Sequence, residues 1–576
     1  MWPFTTRYPE VNLEDVRAQY DYIVVGGGTA GCVLANRLSA DPTTTVLLIE
    51  RGPLADSWAS TVPLLSSDFA SDGSHTSKTK SVFQHEIGRP IDLFTGRALG
   101  GSSRINQMLY LRGYPAQYDA WEKRGMEGWG WKDMKGYFLK SERATYKCDP
   151  QIHGSEGEWY NCTNDEFHFP GFYHSIQACQ ALGLPYIDDI NNPSHPPVGC
   201  GRLSFTRDPD ARRHSSYHAF LSKALALARK ANLHICTNAL VEKLLVDTLP
   251  AGDLKVQGLS VSEAGLGESR VVRVGHEVVL CAGPFGSPHV LMLSGLGPAE
   301  HLKEHDIEVL KDLPAVGSNL QDHFGVSVGY RVPMAHSLLA LERRPWIFIL
   351  ELFRYLILGK GMLLAPVLQL AIFASTTLLG QRGEPSEKQR VDSDTIPDIE
   401  IMPMSYDSGD GPFDKSRGVF SFLNVLLLPK SVGTVRLASL DPRAAPLVDP
   451  QYLADASDSA RLRASLRLTL RIAERMRAQG YGLEDWEVPE REDDAALNAF
   501  IKRRNRTTYH YSSTCRMGDG AKDSVVNSEL RVHGVRNLRV ADSSIFPEVL
   551  ATHLQAPVVA VGEKCADMIL RGRMAN

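Results

Sequence analysis

Residues 21–38 read "DYIVVGGGTAGCVLANRL": a short β-branched run, a glycine cluster and a helix-like tail. Tyr22 to Val25 predict a buried parallel strand, because an unbroken apolar run of this length suits a strand covered on both faces. Gly26, Gly28 and Gly31 then fall in the spacing G-x-G-x-x-G, with Thr29 and Ala30 before the third glycine, and "AGCVLANRLSA" continues as an amphipathic helix. The first glycine permits the tight turn, the second lets the backbone approach a pyrophosphate, and the third lets the helix pack closely on the strand. The helix N-terminus presents its partial positive charge to the phosphates. A second apolar strand, "TTTVLLIE", ends at Glu50, 19 residues after Gly31. A carboxylate there can take the ribose hydroxyls. Together these features predict a dinucleotide site, and by themselves they do not choose between NAD and FAD.

The rest of the chain narrows the possibilities. At 576 residues it is long enough for at least two domains, or for one large domain with an inserted partner. Apolar residues at 43% and charged residues at 22% give an ordinary globular balance, and a net charge of −5 offers no basic face for nucleic acid. The first residues lack a positive segment followed by an apolar one, so no secretory signal is expected and an intracellular, cytoplasmic location is favoured. Nine cysteines stand singly, without metal-type spacing, and read as small buried residues in a reducing compartment; no metal site is expected. Two sequons, at Asn161 and Asn505, carry little weight without a signal peptide. One stretch, Gly361 to Gly380, has no charge over 20 residues and follows the apolar "WIFILELFRYLIL". It is long enough to reach across a bilayer. Pro366, Gln369, Ser375, Thr376 and Thr377 within it, and Glu351, Arg354 and Lys360 before it, favour instead a buried helix pair lining a pocket.

A second glycine- and serine-rich segment, "GRALGGSSRINQMLYLRGYPAQYD" at 96–119, can form a further anion cradle around Gly100, Gly101, Ser102 and Ser103. Here a resemblance becomes specific. This segment resembles the first signature of the glucose-methanol-choline (GMC) oxidoreductases, and "GPFGSPHVLMLSGLG" at 283–297 resembles the second. "VGSNLQDH" at 316–323, "PKSVGTVRLASLDP" at 429–442, "HYSSTCRMG" at 510–518 and "VADSSIFPEVLATHLQAPVVAVGEKCADMI" at 540–569 follow in family order. The active-site pattern is similar to that of aryl-alcohol-oxidase-like members. The resemblance implies an α/β fold, with a discontinuous Rossmann-like FAD-binding domain and an inserted α+β substrate-binding domain of antiparallel sheet plus helices. The corresponding boundaries are a tail at 1–19, FAD-domain segments at 20–160, 225–315 and 515–576, and substrate-side segments at 161–224 and 316–514.

It also implies site residues. Gly26, Gly28, Thr29, Ala30, Gly31 and Glu50 would hold the ADP half of FAD, and Val241 would meet the adenine. Arg97, Gly100, Ser102, Asn106, Gln107 and Met108 would lie along the pyrophosphate and isoalloxazine. Asp542, Gln555, Ala556, Pro557 and Val558 would border the ribityl chain and the pyrimidine end. Some members carry a histidine covalently bonded to FAD one position before the asparagine; Ile105 stands here, so FAD is expected to be non-covalent.

Oxidising an alcohol by hydride transfer to flavin N5 requires a base for the hydroxyl proton, with reacting atoms roughly 3 to 3.5 Å apart. Histidine suits this because its ordinary pKa of about 6.5 lies near working pH. The family's histidine motif is matched by His510, and the motif that carries a second His or Asn by His553, 43 residues later. His510 is expected to be the main acid/base, and His553 to orient the hydroxyl and share its proton; His323 and His533 are read as structural. The expected reaction is oxidation of an aromatic or otherwise hydrophobic primary alcohol to the aldehyde, with oxygen or another acceptor reoxidising the flavin. A hydroxynitrile lyase would use the same histidines without redox turnover. A flavin photodecarboxylase would carry a cysteine where this chain has Leu427.

Overall fold

The strand Gln19–Val25 has parallel partners on both sides, Val46–Ile49 and Arg270–Leu280. Residues 7–66, 74–164, 167–250, 252–264, 268–386, 391–392, 394–407 and 416–574 are described by this computed structural model. The opening strand belongs to a seven-stranded sheet in the order Leu233–Cys236, Val46–Ile49, Gln19–Val25, Arg270–Leu280, Leu254–Glu263 and Ala239–Thr248, with Leu538–Val540 pairing alongside Arg270–Leu280. Leu254–Glu263 and Ala239–Thr248 run antiparallel to their neighbours, and the other pairings are parallel. Ile23, Val24, Leu47, Leu48, Val278 and Val279 are fully buried, which is why these strands show apolar runs without alternation.

The helix Thr29–Leu38 leaves the sheet at the glycine cluster and packs on the C-terminal helix Gln555–Met574. The approach is close: a Cβ on Gly562 would lie 3.0 Å from the Cβ of Val33. At the far end of this contact Arg37 pairs with the buried Glu563 at 2.6 Å. The beginning and the end of the chain thus share one core.

A second, eight-stranded sheet runs Glu484–Glu487, Phe324–Val332, Gly418–Leu426, Ile399–Met404, Leu370–Ala374, Gly199–Arg202, Tyr186–Ile187, with Asn505–Thr507 also beside Phe324–Val332. It is antiparallel except for its last pair. The helices Pro170–Ala181 and Ala456–Ala478 share a core with it, in which Phe172, Leu462 and Ile472 lie among Val326, Ile401 and Phe420. The chain therefore adopts the expected class, an α/β fold in which a Rossmann-like sheet, assembled from distant segments, is joined to a largely antiparallel α+β part.

The apolar run 346–380 departs from expectation. It forms no buried helix pair. Pro345–Leu358 is one helix whose outward side is exposed, and the run continues as a short turn at Met362–Leu364 and the buried strand Leu370–Ala374. The helix stops at Gly359, whose φ of 58° closes it in the left-handed conformation, and Pro366 bars a restart. Among the described residues no helix is long and apolar enough to cross a membrane. All nine cysteines are free and eight are buried. Residues 1–6 of the tail, and 387–390 and 393 of the charged stretch 380–400, lie outside the described residues.

Candidate active site

The two glycine loops meet directly. The Gly100 N–H donates to the Gly27 carbonyl at 2.7 Å, and a Cβ on Gly101 would come within 2.8 Å of the Gly28 Cα. Gly26 turns the chain with φ 102°, and a Cβ on it would lie 2.4 Å from the Cys281 carbonyl oxygen. Gly28 differs: a Cβ there would meet only that same oxygen, at 3.6 Å, and open space otherwise. Its backbone forms part of the wall of a cavity of about 1060 Å³. That is at the top of the range of roughly 300–1,000 Å³ usual for ligand sites.

The cavity runs from this turn to the paired histidines. Gly26, Gly28, Thr29, Ala30, Glu50, Arg97, Ser102, Asn106, Gln107, Val241, Asp542, Gln555 and Val558 line it, as do His510 and His553. Gly31, Gly100, Met108, Ala556 and Pro557 do not. Gly31 is the packing glycine under the turn, Gly100 shapes the second loop, and Ala556 and Pro557 lie in the first turn of the last helix. The Met108 side chain turns into a core with Leu109, Phe205 and Ala551, so it does not border the cavity as the motif position implied.

The polar groups of the cavity are held in place. Glu50 accepts the N–H groups of Gly27 (2.8 Å) and Gly52 (2.7 Å), and burial pushes its carboxyl pKa up. Asp542 accepts from Gly283 N–H at 2.9 Å, Ser287 Oγ at 2.6 Å and Ser544 N–H at 2.8 Å. Asn106 bonds Gln555 through its amide nitrogen, and its oxygen accepts from Met108 N–H (3.0 Å) and Arg213 Nη1 (2.8 Å). Arg213 is fully buried, and burial lowers its pKa to about 9. It also bonds Ser66 and the Ser103 carbonyl, pinning the second glycine loop from beneath. Nothing in "ARRHSSYHAF" at 211–220 marks this role.

At the other end the His510 and His553 rings meet edge to face, with centroids 4.8 Å apart. His553 Nε2 lies 3.1 Å from the carboxylate of Glu400, a buried acid in the otherwise apolar strand Ile399–Met404. His510 Nδ1 lies 2.9 Å from His323 Nδ1. The His510 N–H of the backbone donates to Asp322 at 2.8 Å, and Asp322 also accepts from Thr507 and Tyr452. Burial raises the Asp322 pKa to about 7. Burial, reinforced by the charges of His553 and His323, holds His510 well below the ordinary histidine range, and burial takes His323 to about 3. Both rings are therefore neutral at working pH. His323, read from sequence as structural, is in direct contact with the site, whereas His533 bonds Ser524 away from the cavity. Glu400, Asp322 and Arg213 were missed. The one available signal was an acid inside an apolar strand, since a buried charge needs a partner.

A Rossmann-like dinucleotide turn sharing a cavity with a pair of facing histidines defines an oxidoreductase built around a bound nucleotide cofactor. Family models described as GMC oxidoreductase match residues 20–325 and 429–562, and the chain belongs to that family. It is 35% identical over 571 residues to an uncharacterized GMC-type oxidoreductase of Mycobacterium tuberculosis, covering 96% of this chain and 99% of that one. It is 33% identical over 564 residues to an alcohol dehydrogenase (acceptor) of Pseudomonas putida, with 96% of each covered. The structure of a fungal aryl-alcohol oxidase matches with a TM-score of 0.82 at 25% identity, covering 97% of this chain and all of that one. FAD is the cofactor of the family, and these residues fit it. The open space over Gly28 suits a pyrophosphate, Glu50 keeps lone pairs for ribose hydroxyls, and the cavity has room for a dinucleotide and a small substrate.

Proposed function

We propose that the protein oxidises a hydrophobic or aromatic primary alcohol to the aldehyde, with non-covalently held FAD and with His510 as the base. The observation that carries this reading is the facing pair of imidazoles in the wall of the cavity that Gly28 also lines. Phe94, Val367, Leu368, Met402, Met404 and Leu423 contribute to the cavity wall, and this apolar lining supports a hydrophobic substrate. FAD, when bound, supplies the two-electron oxidant. Ile105, which lines the cavity, offers no nucleophile for a covalent link.

The hydrogen-bond network supports the assignment of the base. The Thr508 hydroxyl donates to the His323 carbonyl at 3.0 Å, so its lone pair faces His510 Nδ1 at 3.4 Å. This contact puts the His510 proton on Nδ1. Its Nε2 lone pair is then available for the substrate hydroxyl proton. His553, held by Glu400, orients the hydroxyl oxygen.

Glu400→Gln keeps the shape and removes the charge that supports His553 when it shares the proton. Hydrogen bonds to charged groups contribute about 1.5–3 kcal/mol, so kcat is expected to fall roughly ten- to hundredfold with FAD content unchanged. An unaltered kcat would remove Glu400 from this role.

The direct test is an anaerobic absorbance titration of the yellow holoprotein with benzylic, allylic and long-chain alcohols, followed by air. Bleaching of the flavin band by one class is the expected result, and the speed of recovery in air sorts an oxidase from a dehydrogenase using another acceptor. No bleaching by any alcohol would overturn the reading and favour a lyase.

A further inference from the structure

We propose that the outward face of the helix Pro345–Leu358 docks on an anionic lipid bilayer, holding the protein at the membrane surface with one opening of its cavity beside the lipid. Trp346, Ile349, Leu350, Phe353, Leu356 and Ile357 recur at helical spacing on this face, and all are at least half exposed, Trp346 at 62% and Ile349 at 65%. A helix on a protein in water normally turns polar residues outward. Here the inward side carries apolar packing as well: Leu352 and Tyr355 pack on Val62 and Leu363, and the Tyr355 hydroxyl donates to the Ala211 carbonyl at 2.9 Å. Trp58, 49% exposed and in edge contact with Tyr355, extends the patch.

The charges around the patch select the partner. Arg344 and the half-buried Arg343 precede the helix and Lys360 follows it, against one exposed acid, Glu342. The acid within the helix, Glu351, is turned inward, where it accepts the Met362 N–H at 2.7 Å and pairs with Arg354 at 2.8 Å. A Trp- and Phe-bearing face flanked by basic residues matches helices that lie in the headgroup layer of anionic membranes. At 14 residues the helix is about 21 Å long, too short for a hydrocarbon core of about 30 Å, so it lies in the plane. Its face is about 10 Å wide, small beside the roughly 800 Å² per partner of a stable protein dimer. Lipid is thus a better match than a second copy of this chain. Phe348 of the same helix lines the cavity together with Leu64, Leu65, Leu341 and the exposed Glu342, so the cavity opens next to the patch. Docking stands independently of the substrate reading; the route it gives an apolar alcohol from bilayer to cavity rests on that reading.

The test is co-sedimentation of the FAD-loaded protein with vesicles of phosphatidylcholine and phosphatidylglycerol at 7:3, against vesicles of phosphatidylcholine alone. Wild type is expected to pellet with the anionic vesicles at least tenfold more strongly than with the neutral ones. A Trp346→Ser/Phe353→Ser/Ile357→Ser variant is expected to lose that binding while keeping its FAD content and thermal stability. An Arg343→Glu/Arg344→Glu/Lys360→Glu variant, which leaves the apolar face untouched, is expected to lose it too. Equal pelleting with both vesicles, no pelleting, or a serine variant that pellets like wild type would overturn the proposal. So would a light-scattering dimer that the serine variant splits, which would give the face to a second copy. None of these readouts depends on turnover, so a failure here is distinct from a failure of the alcohol reading.

Discussion

His510→Ala is expected to slow anaerobic flavin reduction by an alcohol about a thousandfold, within the range of roughly 10²–10⁴ that a positioned base contributes, while FAD stays bound. The polar partners of the side chain are His323 and Thr508, with the His553 ring against it, and none of them belongs to the glycine loops, so removing it takes away the base without disturbing the nucleotide cradle. Rapid-mixing absorbance measures the step directly. Reduction within tenfold of wild type would show that another group takes the proton. The pH dependence has a definite sign. Because the pKa of His510 is held well below the ordinary value, the neutral, proton-accepting form persists as pH falls through about 6.5. In the wild-type protein kcat/KM is therefore expected to stay flat across that region and to drop only further to the acid side. A drop centred near 6.5 that persists in Asp322→Asn would assign the base to a solvent-like histidine instead, since burial brings Asp322 itself to about 7.

Gly31→Ala is expected to destabilise the fold severely and to abolish FAD binding, whereas Gly28→Ala abolishes FAD binding alone. At Gly31 an added Cβ would stand 2.0 Å from the Gly26 carbonyl oxygen, a backbone atom at the turn itself. The helix Thr29–Leu38 would have to lift from the sheet and from the C-terminal helix, a loss on the scale of the exceptional core mutations, about 4 kcal/mol or more. At Gly28 the same methyl meets one oxygen at 3.6 Å and otherwise enters the cavity. That variant is expected to unfold at the temperature of wild-type apoprotein and to purify colourless. Thermal unfolding of the two apoproteins, with flavin content by absorbance, checks the pair. Equal behaviour of the two variants would refute separate roles for these glycines.

The contrast explains what could be read from the sequence. The glycine turn is local, and spacing alone carries its geometry, so strand, turn, helix and Glu50 were all legible. His510 and His553 were legible because each stands in a recognisable motif. Their supports were not. Glu400 meets His553 across 153 positions, and His323 meets His510 across 187, so no window of sequence contains either pair. Arg213 reaches Asn106 in the same way, from another segment. The run 346–380 was misread for a different reason. Hydrophobicity shows that a residue avoids water; it does not show which of its sides has a neighbour. A helix with apolar residues around most of its circumference looks like a core helix until the structure reveals that half of them have no neighbour.

The partnership of the first helix with the last has a consequence for how the molecule is made. The strand Gln19–Val25 pairs with a strand some 250 positions later, and the helix after it is sealed by Gly562 and Glu563 near the chain end. On a ribosome adding roughly 5–20 residues per second, the nucleotide turn emerges early and then waits, with its apolar strand uncovered, for the C-terminal helix. Contacts of such separation form slowly. Nascent chains of this protein are expected to acquire cofactor only once the helix Gln555–Met574 has emerged, and to depend until then on chaperones that shield the unfinished sheet.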